Sequence, residues 1–241
     1  MIRNEIHLGW QDAETRRWYA VGRFWLDDDG YSFEYLPQAD KAREQAGFGG
    51  VPQFPDFARS YRSEEAFAFL RNRLIRPKRY DFMQQQRRLG LEAITDLDDP
   101  ADVFEILART GGRRQTDNFE FFRPLRAGDD KLECIFFSRG LTYIDEKIRQ
   151  FWADGSTPKG ELRLVADLQN PVDPNALIII DEAIRPLGFV PRYYSAAFSR
   201  LFHDSAIDSV TIERHNKSPA PDQERFLLRL EATAVEEHHL P

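Results

Sequence analysis

The sequence predicts an α+β protein of two domains: a mixed hairpin-plus-helices domain over residues 1–125, then a small closed or nearly closed β-barrel with one helix over residues 131–235. Three observations predict this. Hydrophobic residues make up 41% of the chain and phenylalanine alone counts 19, enough apolar volume for packed cores despite 30% charged residues. The pattern changes along the chain, from helix-period apolar spacing in the first half to short strand-like runs in the second. Between them, Arg123 to Asp130 carries Pro124, Gly128 and two aspartates, the composition of a linker.

The first domain opens with a hairpin. Arg17 to Leu26 is rich in aromatic and β-branched residues, Asp27-Asp28-Asp29-Gly30 is a turn signal, and Tyr31 to Tyr35 alternates apolar and polar. A loop with Gly47, Gly49, Gly50, Pro52 and Pro55 follows. Ser63 is placed to cap a helix whose stretch Ala66 to Leu74 sets Phe67, Leu70 and Leu74 on one face, with Pro77 as its stop. A second helix is expected over Phe82 to Leu91. A third is expected from Pro100 to Arg109, with Val103, Ile106 and Leu107 inward and Gly111-Gly112 at its end. Phe119 to Phe122 reads as a short final strand.

In the second domain, Cys134 to Ser138 reads as a strand and Glu161 to Asp167 alternates. Ala176 to Ile180 is a continuous apolar run expected to be buried on both sides or nearly so. Leu187 to Val190 is short and strand-like, and Pro191 opens a helix to about Phe202. Ser209 to Glu213 and Phe226 to Leu230 complete the set, joined by an exposed connection over His215 to Gln223. Short strands with one helix suggest the barrel.

Composition bounds function. A net charge of −7 argues against indiscriminate coating of nucleic acid, which runs on phosphate neutralisation. A local basic run exists, with Arg71, Arg73, Arg76, Lys78, Arg79, Arg87 and Arg88 opposed only by Asp81; it reads either as a solvated helical face or as a set of phosphate contacts. The lone Cys134 excludes an intrachain disulfide and sits in an apolar run as a small hydrophobe. The N-terminal MIRNEIHLGW lacks a signal-peptide core, and no apolar stretch is long enough to span a bilayer, so a cytoplasmic protein without membrane contact is expected. No HExxH, CxxC, GxSxG or GxxxxGK[ST] pattern occurs. Asp27 to Asp29 is explained by its hairpin turn, and His238-His239 beside Glu236 and Glu237 reads as a solvated tail. The expectation is a non-enzyme with no cofactor and no metal.

Three motifs in the second half occur in order: Ser138-Arg139-Gly140-Leu141, Asn170-Pro171-Val172-Asp173-Pro174-Asn175-Ala176-Leu177, and Leu187-Gly188-Phe189-Val190-Pro191-Arg192 leading into Ala196, Ala197 and Leu201. Over roughly Glu133 to Thr233 the chain resembles a HIRAN domain. The resemblance implies an OB-like β-barrel that grips single-stranded DNA, preferably at a free 3′ end. It points to Arg139, Tyr143, Asn170, Asp173, Asn175, Phe189 and Arg192 as the nucleic-acid site. Tyr143 stands where the family carries a base-stacking aromatic, or it packs the barrel edge. Asp173 and Asn175 sit on the turn where the family contacts the nucleotide, and the same residue types build such turns by bonding their own backbone. Arg139 and Arg192 read as backbone clamps or exposed charges. Thr142 and Ile144 stand where DNA-binding members carry a basic residue and a second aromatic.

The first half more loosely resembles the N-terminal subdomain of HipA-type kinases. The carrying residues are Val21-Gly22-Arg23-Phe24, Gly30 to Tyr35, Phe54-Pro55, Asn72-Arg73-Leu74 and Asp102 to Ala108. The kinase core of that family has no counterpart here, since no ATP loop with a catalytic Asp/Asn pair can be assembled. This resemblance implies an interaction module, making the whole an adaptor. The alternative is an antitoxin-like regulator that binds a HipA-type kinase partner.

Overall fold

The computed structural model describes residues 4–125, 127–128 and 131–233. The chain folds as two compact units, Met1–Gln86 with Leu91–Pro124, and Arg87–Gly90 with Leu125–Pro241.

The first unit is built on one antiparallel sheet. Its strands are β1 (Glu5–Gln11), β2 (Trp18–Asp27), β3 (Gly30–Tyr35), β4 (Tyr61–Ser63) and β5 (Phe119–Phe122), in the order β4-β3-β2-β1-β5. The hairpin read from the sequence is β2–β3, closing at Asp27 opposite Gly30. Asp27 accepts from the amide of Asp29 (3.0 Å), the Ser32 hydroxyl and the Trp25 indole (3.1 Å each), so the acidic triplet is turn architecture. Strand β1 is additional to the sequence reading, although Ile6 and Leu8 alternate with polar neighbours and are fully buried. On the inner face, Phe33 stacks on Phe54 at 4.1 Å and Phe24 lies 4.6 Å from Phe33. The aromatic excess of the sequence is largely this core.

The helices here are α1 (Pro37–Ala46), α2 (Ala68–Arg71), α3 (Phe82–Leu89), whose last residues from Arg87 belong to the second unit, and α4 (Pro100–Thr110). Helix α1 is likewise additional, yet it carries Pro37 in its first turn and ends on Gly47 at φ 68°. The helix expected over Ala66 to Leu74 shrinks to α2. Ser63 pairs with Tyr31 as the last residue of β4, so it caps nothing, and Phe67 is still extended at ψ 142°. Helix α4 follows the reading closely: Asp99 accepts from the Ala101 amide at 2.8 Å, and Gly111 closes the helix at φ 74°. On this helix, Glu105 lies between Arg109 and Arg123, each at 2.7 Å. Burial alone would raise its pKa, but the two guanidiniums outweigh it and hold the carboxyl below the usual range.

The second unit contains β6 (Ala127–Gly128), β7 (Lys131–Phe137), α5 (Glu146–Ala153), β8 (Arg163–Ala166), β9 (Leu177–Ile180), β10 (Pro186–Phe189), α6 (Arg192–His203), β11 (Ile207–His215) and β12 (Phe226–Thr233). The expected closed barrel does not form among the described residues. The strands make two open antiparallel sheets, β11-β12-β7-β6 and β10-β9-β8. A single bridge, Arg139 with Phe189, links β10 to the chain leaving β7. Both sheets keep free edges, and the edge strands β8 and β11 do not pair with each other.

Three further expectations change. The unit has a second helix, α5, whose Trp152 is fully buried, donates to the Pro186 carbonyl at 2.9 Å and lies edge-on to Phe226. Strand β9 is not sandwiched on both faces: Leu177 and Ile179 are buried, Ile178 and Ile180 only half-buried. The connection after His215 is not simply exposed. Asn216 and Ala220 are buried, and the Arg225 guanidinium donates to both of their carbonyls at 2.7 and 2.8 Å. Helix α6 packs as read, with Phe198 stacked on Tyr194 and 5.6 Å from Phe136. The His238-His239 tail lies outside the described residues.

Candidate nucleic-acid interface

The first cluster of candidate residues forms where the chain leaves β7. Ser138 still pairs with β12, its amide donating to the Phe226 carbonyl at 3.0 Å. Its buried hydroxyl donates to the Leu187 carbonyl at 2.8 Å. Arg139 and Phe189 then exchange two backbone hydrogen bonds of 2.8 Å. Gly140 turns the chain at φ 69° into a 3₁₀ turn, Leu141–Tyr143, closed by the Tyr143 amide on the Gly140 carbonyl at 3.0 Å. Leu141 is buried and anchors the turn, while Tyr143 is 87% exposed. A methyl group on Gly140 would lie 3.0 Å from the Phe189 ring and 3.5 Å from the Tyr143 ring, so both aromatics flank this glycine. Tyr143 therefore does not pack an edge; its ring faces solvent beside a second, half-buried ring.

The second cluster is the Asn170–Ala176 turn. The Asn170 side-chain carbonyl accepts from the amides of Val172 and Asp173 at 3.1 and 3.0 Å, and its amide donates to Asp167 at 3.0 Å. Asp173 accepts from the Asn175 amide at 3.0 Å, and its carbonyl accepts from Ala176 at 3.1 Å. Both side chains build the turn, as Asx residues do. Asn175 differs: its half-buried side-chain amide makes no hydrogen bond to another described residue. Arg192, at the start of α6, donates to the Val172 carbonyl at 2.6 Å and so clamps the turn.

The two clusters share one backbone. Phe189 belongs to the first and Arg192 to the second, and between them the Val190 amide donates to the Leu177 carbonyl of β9 at 3.0 Å. All seven residues named from the sequence thus sit on two adjoining stretches of the same unit. Gly188 joins them without having been named: it takes φ 123° and presses against the Arg139 carbonyl and Ser138. A side chain there would meet them at 2.8 and 2.9 Å. Its signal is available in the sequence, since a glycine in the middle of a short strand marks a close backbone approach.

The basic run of the sequence is not one open patch. Arg73 is buried and pairs with Asp117 through two bonds, at 2.5 and 3.1 Å, while donating to the Gly112 carbonyl and lying 4.3 Å over Phe69. Arg71 pairs with Glu65 at 2.9 Å and Arg79 with Asp81 at 2.7 Å. Arg88 pairs with Glu224 at 2.7 Å, within the second unit. Arg76, Lys78 and Arg87 are exposed and make no ion pair with another described residue.

Burial pushes the Cys134 thiol up to about 12, so it stays protonated and unreactive. No group of three metal-ligating side chains gathers among the described residues, and none of their helices is long and apolar enough to cross a membrane.

A crystal structure of a protein from Lactobacillus plantarum is similar at 16% identity, with a TM-score of 0.29, over 43% of this chain and 92% of that one. No curated protein matches the chain. Residues 131–231, the stretch that carries both clusters, match the family model of the HIRAN domain.

Proposed function

We propose that the second unit binds single-stranded nucleic acid, with a DNA 3′ end as its preferred ligand, and that the protein is a non-catalytic adaptor. The observation that carries the reading is the Tyr143 ring, 87% exposed on a 3₁₀ turn that starts at Gly140, with the Phe189 ring on the other side of that glycine. Its support is the match of residues 131–231 to the HIRAN domain, a nucleic-acid-binding module. A solvent-facing ring on a hydrogen-bonded turn suits base stacking, and the guanidiniums of Arg139 and Arg192, which donate to the Gln223 and Val172 carbonyls, carry the charge suited to the backbone. Asn175 supplies donors and an acceptor with no bond to other described residues, and Asp173 an acceptor suited to a terminal hydroxyl.

The first unit is assigned the role of a protein-interaction module, on its sequence resemblance to the HipA N-terminal subdomain. Its partner would be a HipA-type kinase or another protein. Coexpression with such a kinase and co-purification tests this role separately from nucleic-acid binding.

The central test is fluorescence anisotropy of labelled single-stranded DNA, with a free or a phosphate-blocked 3′ end, at low and moderate salt. Tyr143→Ala is expected to weaken binding by about 5- to 150-fold, the value of one stacked base. Binding that is unchanged in Tyr143→Ala, or absent in the wild type at low salt, overturns the proposal.

A further inference from the structure

We propose that the turn Arg76–Asp81 is a second contact for single-stranded nucleic acid, with Tyr80 stacking a base and Arg76 and Lys78 holding the adjoining phosphates. The inference deepens the proposed function and rests on the reading that this chain binds a single strand.

The turn is well defined. Pro77 sets its backbone, and the Arg79 amide donates to the Arg76 carbonyl at 2.9 Å. The Phe82 amide donates to the Arg79 carbonyl at 3.2 Å, leading directly into α3. Phe82 is buried to 1% exposure and anchors the end of the turn. Arg79 folds back on Asp81 through bonds of 3.0 and 2.7 Å, so the one carboxylate of the segment is neutralised in place. Arg76 and Lys78 remain exposed and make no ion pair with another described residue. Between these groups Tyr80 is 95% exposed, the most exposed large apolar side chain among the described residues.

A tyrosine left almost wholly in water on the same turn as two cations that make no ion pair with another described residue matches the chemistry of a nucleotide, with a flat face for the base and positive charge for its phosphates. An anionic membrane is a poorer fit. A membrane-surface segment carries several large apolar residues on one face, and of the exposed residues that follow on α3, Met83, Gln84 and Arg87, only Met83 is apolar. The seven-residue basic run of the sequence hides this contact, because several of its arginines are tied to carboxylates in the fold.

The test is photocrosslinking of the full chain to 5-iodouracil-substituted single-stranded DNA, with the modified peptides mapped by mass spectrometry. It is paired with affinity measurements on long poly(dT). Crosslinks are expected at Tyr80 as well as at Tyr143. Tyr80→Ala is expected to weaken binding by about 5-fold or more. The double variant Arg76→Gln, Lys78→Gln is expected to flatten the salt dependence by about 0.7 for each phosphate no longer neutralised. Crosslinking at Tyr143 alone, with Tyr80→Ala unchanged, overturns this second contact and leaves the proposed function standing. Crosslinking at Tyr80 alone supports the contact and removes the site proposed on the second unit. No binding by the wild type overturns both. Loss of binding to phosphatidylserine vesicles in these variants, with poly(dT) binding intact, overturns the inference in favour of a lipid surface.

Discussion

Gly188→Ala should loosen the candidate interface from within. Gly188 holds φ 123°, a backbone region that L side chains rarely adopt, and forcing it costs about 1–3 kcal/mol. Its new methyl would stand 2.8 Å from the Arg139 carbonyl and 3.0 Å from the Ser138 Cβ. Neither can retreat easily: Arg139 is fixed by two backbone bonds to Phe189, and Ser138 by its bond to the Leu187 carbonyl. Overpacking of this kind adds about 1–3 kcal/mol. Together they predict a loss of about 2–6 kcal/mol, felt first at the bridge that joins β10 to the chain leaving β7. Native-state hydrogen exchange of the Arg139 and Phe189 amides reads this directly, and their protection should drop by about 30-fold or more. Gly49→Ala serves as control, because a methyl at Gly49 meets nothing within 4 Å. Protection in Gly188→Ala that stays within about threefold of the wild type would refute the reasoning.

Two other changes separate structure from binding in the first unit. Arg73→Ala should cost about 3–5 kcal/mol in urea unfolding, since it strands Asp117 and empties a buried cation site over Phe69, while leaving the salt slope of DNA binding unchanged. A reduced slope would instead make Arg73 a phosphate contact. Glu105 has a folded pKa below its ordinary 4.5, so its contribution is fully present above pH 4.5 and lost as the pH falls below that value through the folded pKa. Glu105→Gln should lower stability at neutral pH and flatten the acid limb of the urea midpoint against pH; an acid limb of unchanged steepness would count against the Arg109–Glu105–Arg123 cluster as its source.

Local signals in the sequence carry most of the secondary structure, and long-range geometry carries most of what the sequence hides. The β2–β3 hairpin and α4 are legible because their turn and cap residues act on their immediate neighbours: Asp27 on Asp29, and Asp99 on Ala101. Strand β1 and helix α1 also have local signals, alternation around Ile6 and Leu8 and a Pro37-to-Gly47 frame, so both are legible in the sequence without any tertiary information. The truncation of the helix before Pro77 is not local, because the pairing of Ser63 with Tyr31 across the sheet decides it. The absence of barrel closure depends on which edges pair, and strand spacing along the chain does not contain that. The same holds for the basic run. Charge counting sees Arg73 and Arg76 alike, but Asp117, far along the chain, buries one and leaves the other in water.

The turn at Asn170–Ala176 sharpens the question of end recognition. Asn170 is fully engaged in holding the turn, so its replacement would act through stability and says little about a ligand. Asp173 is the informative position, because one carboxylate oxygen accepts from the Asn175 amide while the charge itself bonds no described cation. Asp173→Asn keeps an acceptor for that amide and for a terminal hydroxyl, and removes only the negative charge. A carboxylate about 4 Å from a phosphate in water repels it by about 1 kcal/mol, close to a fivefold effect on affinity. Asp173→Asn should therefore raise affinity for a 3′-phosphate-blocked strand by about fivefold and leave a free 3′ hydroxyl end within about twofold. Anisotropy on the matched pair of oligonucleotides measures the ratio. Equal gains on both ends would mean that Asp173 only adds background repulsion, and the preference for an end would then have to come from Asn175 or be given up.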